Sequence, residues 1–311
     1  MSRIAVVDVG TNTTRLLVAD VEGGRVRELD RHSEVTRLGE GVDASGRLSD
    51  AAVDRVLGVL ADYRARMDRL DARRRVGVAT SAVRDADNGD ELLARLRDAF
   101  GIGTRTITGE EEARLTFLGA TSGRARGGGP VLVVDIGGGS TEFVVGEPGA
   151  EPDFHASTRA GSVRQTERHI KGDPPHPDQI ADMADEVRAI ITADVPAEVR
   201  RSVERGIAVA GTATSLAAID QELEPHDPEK VHGYQLELGA CERMLALLAE
   251  LSLERRRQVA GLHPDRAPTI VAGAVILIEA MRACGLEVVE TSEADILHGV
   301  ALAETAANSV K

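Results

Sequence analysis

One short pattern occurs twice in the chain. Val6-Val7-Asp8-Val9-Gly10-Thr11-Asn12-Thr13-Thr14-Arg15-Leu16-Leu17-Val18 returns as Val133-Val134-Asp135-Ile136-Gly137-Gly138-Gly139-Ser140-Thr141-Glu142-Phe143-Val144-Val145. Each copy is a β-branched run, an Asp, a turn of Gly with small hydroxyl or amide residues, and a second apolar strand. Such a pattern predicts a β-hairpin whose tight turn offers backbone N–H groups to an anion, with a carboxylate at its base. Two such hairpins facing each other would form a cleft for a polyphosphate and its metal ion.

The length of 311 residues fits two domains, each large enough to bury its own core. Aromatic residues make up only 2% of the chain, so the core must be built from Val, Leu, Ile and Ala. Asp8 interrupts the only apolar stretch near the amino terminus, which argues against a signal peptide. The apolar run from Ala267 to Ile278 is too short to span a bilayer. Cys241 and Cys284 stand alone, without metal-ligand spacing, as expected of reduced, buried thiols. The expectation is a cytoplasmic protein without a membrane partner. Its formal charge is −14, from 51 acidic and 37 basic residues. That balance, with so few aromatic rings, argues against nucleic-acid binding. It also repels polyanions at long range, so a phosphate site must rely on a cation, a few arginines and converging N–H groups. The clusters Arg73-Arg74-Arg75 and Arg255-Arg256-Arg257 read either as distal phosphate anchors or as solvated faces near helix ends.

Apolar spacing predicts a helix over 49–70, a strand over 76–80 leading into the turn 81–85, a helix over 91–100, a strand over 104–107 and a helix over 110–120. This alternation implies a mixed sheet covered by helices. The Gly- and Arg-rich run 122–130 is the clearest linker. It predicts domains over residues 1–126, with the first hairpin and Glu112, and 127–311, with the second hairpin and added helices. The later half reads as helices over 177–193, 238–251, 253–259, 268–282 and 292–306. A strand, turn and helix lie around Gly211, and Val288-Val289 is a short strand.

Asp8 and Asp135 end strands in the two copies. A carboxylate that begins a phosphate-binding turn can hold Mg²⁺, usually through water, while the amides take phosphate oxygens. An Asp there can also simply cap its own turn, but two copies in register favour the first reading. The phosphate-binding candidates are Gly10, Thr11, Asn12 and Thr13 in the first turn and Gly137, Gly138, Gly139 and Ser140 in the second. Gly211 and Thr212 form a third, weaker Gly turn. Arg15 and Arg84 stand where phosphate clamps would, and equally where surface ion pairs form. Glu142 takes the place in the second copy that Arg15 holds in the first. That change of sign makes sense if one side grips phosphate and the other, with Asp8 and Asp135, holds metal. In Thr108-Gly109-Glu110-Glu111-Glu112, the spacing of Thr108 and Glu111 suggests a capping box, with Glu111 turned back on its helix. Glu110 is then solvated and Glu112 free to act as a general base; the competing reading is that all three acids merely favour the helix dipole. His232 and His298 lack partner spacing and read as structural. No P-loop, GxSxG elbow or HExxH helix is present, so attack by water is simpler than a covalent nucleophile.

Taken together, these segments resemble a known family. Asp8 to Leu17, Ala79 to Asp85, Thr108 to Arg114 and Asp135 to Glu142 are similar, in order and spacing, to the exopolyphosphatase and guanosine pentaphosphate phosphohydrolase (Ppx/GppA) phosphatase family. Gly161 to Arg164, Ala210 to Thr214, His263 to Gly273 and Ser292 to Gly299 extend the resemblance along the chain. The resemblance implies an α/β fold of duplicated ribonuclease-H-like domains, of the actin and sugar-kinase type, flanking an interdomain cleft. It implies Mg²⁺-assisted hydrolysis of a terminal phosphate, with Glu112 as the catalytic glutamate, Asp135 and Glu142 as metal acids and 137–140 as the phosphate loop. It also suggests a homodimer. Against the longer members, the expectation is a short, two-domain form without their extra carboxyl-terminal helical domains, and Gly161-Ser162-Val163-Arg164-Gln165 departs from the usual Gly-Ala-Val-Arg-Leu.

The expected activity is therefore exopolyphosphatase, with inorganic polyphosphate, in short chains, as substrate and guanosine pentaphosphate as the rival. A phosphotransferase and a non-catalytic polyphosphate or nucleotide sensor are the alternatives from other classes.

Overall fold

The computed structural model of the protein describes residues 2–125 and 127–306; Arg126, part of the expected linker and last residue of the expected first domain, lies outside them. The chain divides into two compact units, Met1–Arg124 with Asp295–Lys311, and Ala125–Ala294.

In the first unit, β1 (Ser2–Val9), β2 (Thr13–Glu22), β3 (Arg25–Val35), β4 (Arg74–Ala79) and β5 (Gly103–Thr106) form one sheet in the order β3-β2-β1-β4-β5. The β1–β2 and β2–β3 pairs are antiparallel, and β1–β4 and β4–β5 are parallel. The period-two alternation of β1 sorts its side chains. Ala5, Val7 and Val9 pack with Val53, Val56 and Leu60 of the Asp50–Arg69 helix. Ile4 and Val6 point the other way, toward Leu115, Leu297 and Val300 on the helices Gly109–Ala120 and Ile296–Ala306. Asp8 continues the second set, so alternation alone aims it at the face covered by the helix that carries Glu112.

Those two helices cross with backbones in contact. A Cβ on Gly119 would lie 1.9 Å from the Asp295 carbonyl oxygen, and one on Gly299 would lie 1.8 Å from the Leu115 carbonyl oxygen. Only glycine permits that approach. The expected second domain of 127–311 therefore differs from the observed division, because the chain from Asp295 onward packs with the first unit.

The second unit repeats the plan. β6 (Val131–Ile136), β7 (Thr141–Gly146), β8 (Phe154–Thr158), β9 (Gly206–Val209), β10 (Gln235–Glu237) and β11 (Val288–Ser292) lie in the order β10-β11-β9-β6-β7-β8. The β8-β7-β6-β9-β11 portion matches the first sheet in order and direction, with β10 added antiparallel to the edge. This is the expected duplicated ribonuclease-H-like architecture. The helix Ile270–Cys284, apolar apart from Glu279 and Arg282 near its end, runs through the core, packed by Met183, Val187 and Ile191.

Several elements were not expected. β3 is polar along its length and mostly half-exposed, an edge strand defined by its pairing with β2. β8, β10 and the Ser162–His169 helix are also additional. The segment expected as one helix over 292–306 is divided: Ser292 ends β11, and the helix begins at Ile296. No helix among the described residues is long and apolar enough to cross a membrane.

Candidate active site

In the first unit, three chain segments leave the carboxyl ends of parallel strands side by side. Thr80 N–H donates to the Val9 carbonyl at 3.3 Å and Ile107 N–H to the Ala79 carbonyl at 3.0 Å, which stitches the ends of β1, β4 and β5 together. Ligand sites of α/β sheets form at such carboxyl edges. The edge carries the Gly10–Asn12 turn, Arg84 on the short Ser81–Asp85 helix, expected as a turn, and Glu112 on the helix after β5.

The first turn is held from behind. The Thr11 carbonyl accepts from Gly39 N–H at 2.8 Å, and the Asn12 carbonyl from Thr36 and Arg37 N–H at 3.0 and 2.9 Å. With the carbonyls engaged on one side, the amides of Thr11 and Asn12 donate to no backbone acceptor among the described residues. The Thr11 hydroxyl is used internally, accepting from Ala82 N–H at 3.2 Å. Thr13 is buried at the start of β2.

Asp8 and Arg15 are direct cross-strand partners. Arg15 Nε and NH2 both donate to Asp8 Oδ2, at 2.9 and 2.6 Å, and its NH1 donates to Asp295 Oδ2. Arg31 NH2 joins the same Asp295 oxygen at 3.2 Å. Asp8 Oδ1 is buried and has no hydrogen-bond partner. Burial pushes the Asp8 carboxyl above its ordinary range, against the pull of Arg15. Burial acts the same way on Asp295, but Arg15, Arg31 and His298 outweigh it and hold that carboxyl below its usual value. Arg15 thus makes ion pairs with both Asp8 and Asp295. Asp295 and Arg31 were not singled out from the sequence; both lie far from Asp8 along the chain, and no local spacing marks them.

The three glutamates at the start of the Gly109–Ala120 helix separate clearly. Glu110 is exposed. Thr108 caps the helix, accepting from Glu111 N–H at 3.1 Å, yet the Glu111 carboxylate does not return to the helix terminus. It takes both terminal nitrogens of Arg105, at 2.7 and 2.5 Å, so half of the expected capping box is absent; the guanidinium holds Glu111 below the ordinary carboxylate range. Glu112 is 7% exposed and faces inward, where Arg84 NH1 bridges its Oε2 at 3.1 Å and the Ile107 carbonyl at 2.8 Å. Arg84 Nε and NH2 have no acceptor among the described residues and remain donors for an anion.

The second unit builds its turn by the same device. The Gly137 carbonyl accepts from Ser162 N–H at 2.9 Å, and the Gly138 carbonyl from Val163 and Arg164 N–H at 2.9 and 3.2 Å. Arg164 Nε donates to the Gly139 carbonyl at 2.9 Å. The loop is pressed so closely on the start of the Ser162–His169 helix that a Cβ on Gly161 would lie 2.3 Å from the Gly138 oxygen. The amides of Gly138, Gly139 and Ser140 donate to no backbone acceptor among the described residues, the arrangement of an anion-binding nest. Arg164 is thus a brace behind the loop, a role its position after Gly161 could have signalled.

Asp135 and Glu142 face each other across β6 and β7, at the register positions that Asp8 and Arg15 occupy in the first hairpin. They are 6% and 1% exposed, and Glu142 Oε1 accepts from Ser157 Oγ at 2.8 Å. Like charges directly opposite one another are unfavourable on a hairpin, and positive charge offsets that cost. Among the described residues, no three acidic, His or Cys side chains converge as a ready-made metal cluster. The acids occur as one pair and the single Asp8 with its open oxygen. Within each unit the available donors are few, which suits Mg²⁺, an ion that keeps several waters and takes few carboxylates.

The third Gly segment differs from expectation. β9 passes into the Ala210–Asp220 helix without an intervening turn, with Ala210 at φ 63°. A Cβ on Gly211 would lie 1.6 Å from Arg266 NH1, so this glycine makes room for a guanidinium that the sequence reading left unassigned. Thr212 packs against Gly273 of the central helix, where a Cβ would lie 2.6 Å from its Oγ1. Within the arginine clusters, Arg74 pairs with Glu304 at 2.7 Å, Arg75 pairs with Asp68, and Arg256 is buried and donates to the carbonyls of Leu248, Leu251 and Ala267, while Arg73, Arg255 and Arg257 are exposed.

Comparison with known proteins identifies the family. The model of the Ppx/GppA phosphatase family matches residues 17–307. Exopolyphosphatase 2 of Mycobacterium tuberculosis is 36% identical, over 97% of this chain and 98% of its own length. The crystal structure of an exopolyphosphatase from Cytophaga hutchinsonii superposes with a TM-score of 0.89 at 27% identity, covering 100% of this chain and 99% of that one. The Aquifex aeolicus Ppx/GppA family member gives 0.82 at 29% identity, covering 99% and 98%. This chain belongs to the Ppx/GppA phosphatase family.

Proposed function

We propose that the protein is an exopolyphosphatase that hydrolyses the terminal phosphate of inorganic polyphosphate. The observation that carries this reading is Glu112, a carboxylate turned inward at a helix start while its two acidic neighbours face elsewhere. In the proposed reaction Glu112 takes a proton from a water that attacks the terminal phosphorus; a new P–O bond forms as the anhydride P–O bond breaks, and the shortened chain leaves as an anion. The amides of Thr11 and Asn12 and of Gly138, Gly139 and Ser140 bind phosphate oxygens, with Arg84 Nε and NH2 as further donors. Asp8, Asp135 and Glu142 would hold Mg²⁺. When bound, Mg²⁺ supplies positive charge against the phosphate oxygens. The net charge of −14 disfavours long polyanions, which supports a preference for short chains.

Guanosine pentaphosphate is the second reading, because the family name joins both phosphatases. The test is phosphate release from polyphosphates of defined length and from guanosine pentaphosphate, with and without Mg²⁺. Release from polyphosphate only when Mg²⁺ is present supports the reading; exclusive release from guanosine pentaphosphate replaces it, and transfer to ADP instead of water indicates a kinase. The expected homodimer and cytoplasmic location are checked by light scattering and cell fractionation.

A further inference from the structure

We propose that Asp295 is a positioning residue that holds Arg15 away from one oxygen of Asp8 and so keeps that oxygen open to a divalent cation. This inference rests on the reading of Asp8 as a cation-binding carboxylate.

A guanidinium beside a carboxylate ordinarily settles as a two-pronged fork, one N–H to each oxygen. Arg15 lies directly across the hairpin from Asp8, where that fork would be the default. Instead Nε and NH2 both converge on Asp8 Oδ2, and NH1 is drawn to Asp295. Asp8 Oδ1 is left buried and unpartnered. An unsatisfied carboxylate oxygen away from water is costly, so its presence points to a ligand supplied from outside the chain.

Asp295 is well placed to hold Arg15 in this way because it is buried and engaged through both carboxylate oxygens. It is 1% exposed, and its Oδ1 accepts from Leu297 N–H at 3.0 Å, capping the Ile296–Ala306 helix. Its Oδ2 receives Arg31 as well as Arg15. Its backbone carbonyl lies against Gly119, on the helix that carries Glu112. One residue therefore ties the Glu112 helix to the guanidinium that orients Asp8.

Asp295→Asn tests this, because the amide retains an oxygen for the Leu297 cap while losing the charge that draws Arg15. The readout is Mg²⁺ affinity by calorimetric titration without substrate. The expected result is a loss of roughly tenfold, the lower end of what outer-shell partners contribute to metal sites. In an Arg15→Gln background the same substitution should change Mg²⁺ affinity little, because the group it restrains is gone. Unchanged affinity in folded Asp295→Asn overturns the proposal, as does an equal loss with and without Arg15, or a wild-type protein that binds no Mg²⁺. Should Asp295→Asn fail to fold, Asp295→Glu against Asp295→Gln makes the same comparison, charge kept against charge lost. Phosphate release is assayed on the same samples. Wild-type hydrolysis of polyphosphate with an unaffected Asp295→Asn titration refutes the Asp295 role alone. Absent hydrolysis refutes the proposed activity, while the titration still decides the role of Asp295.

Discussion

Arg15 gives two of its nitrogens to a single oxygen of Asp8, its direct neighbour across the first hairpin, and a third to Asp295. In the second hairpin the same register sets Asp135 against Glu142. One hairpin thus sets a guanidinium opposite a carboxylate, while the other sets two carboxylates opposite each other. Arg15→Ala should leave Asp8 and Asp295 as buried carboxylates without their shared cation. The expected loss of stability is about 3 kcal/mol, read from urea denaturation; a loss within error would mean that the cluster contributes nothing to the fold.

Glu112→Gln should keep the side chain's size and remove its ability to accept a proton. We expect kcat to fall by roughly 10²–10⁴-fold with KM nearly unchanged. Steady-state kinetics with polyphosphate checks this, and wild-type turnover in the variant would remove Glu112 from the mechanism.

Gly161→Ala places a methyl group where the Gly138 carbonyl now sits. The loop over 137–140 must shift outward, and a displacement of about 1 Å at such a site can reduce kcat/KM by about 10²-fold. Circular dichroism should remain native, because Gly161 adopts an ordinary extended conformation, with φ −101°. Full activity in this variant would show that the loop does not hold phosphate.

Two glycine substitutions should have opposite signs. Gly299→Ala drives a methyl group into the Leu115 carbonyl and should destabilise by about 1–3 kcal/mol. Gly58→Ala, in the exposed face of the Asp50–Arg69 helix with open space around it, should stabilise by about 0.5–1 kcal/mol. Thermal and urea denaturation of the pair decide whether backbone contact sets the crossing of the Gly109–Ala120 and Ile296–Ala306 helices.

Burial pushes the Cys241 thiol up to about 12 and the Cys284 thiol up to about 11. Both folded-state values lie above the unfolded value of about 8.5. Their contribution to stability is therefore full below that value and is lost as pH rises through the window toward the folded values. Stability should decline above about pH 8.5, and neither thiol should be alkylated at that pH until denaturant is added. Prompt alkylation of the native protein would contradict the burial.

Much of the fold was legible in the residues. Helical spacing marked the Asp50–Arg69 and Pro177–Asp194 helices to within a residue or two, and the repeated Asp-Gly hairpin announced two units of one design. Glu112 was legible only as a candidate, because its spacing fitted a general base and a dipole-favouring acid equally, and Glu111 chose Arg105 over its own helix end. β3 could not be read, because a polar edge strand has no periodicity of its own and exists by pairing with β2.

What the sequence determined by itself is local: where strands alternate, where a turn must be tight, and which carboxylates end a strand. The tertiary structure decided which charges meet. It brought Asp295 onto Arg15 from the far end of the chain, placed Arg164 behind the Gly137–Ser140 loop, and set the Arg266 guanidinium on Gly211. The reason is physical. Periodicity and turn chemistry depend on neighbours along the chain, whereas an ion pair or a backbone contact depends on distance in space, which only packing fixes.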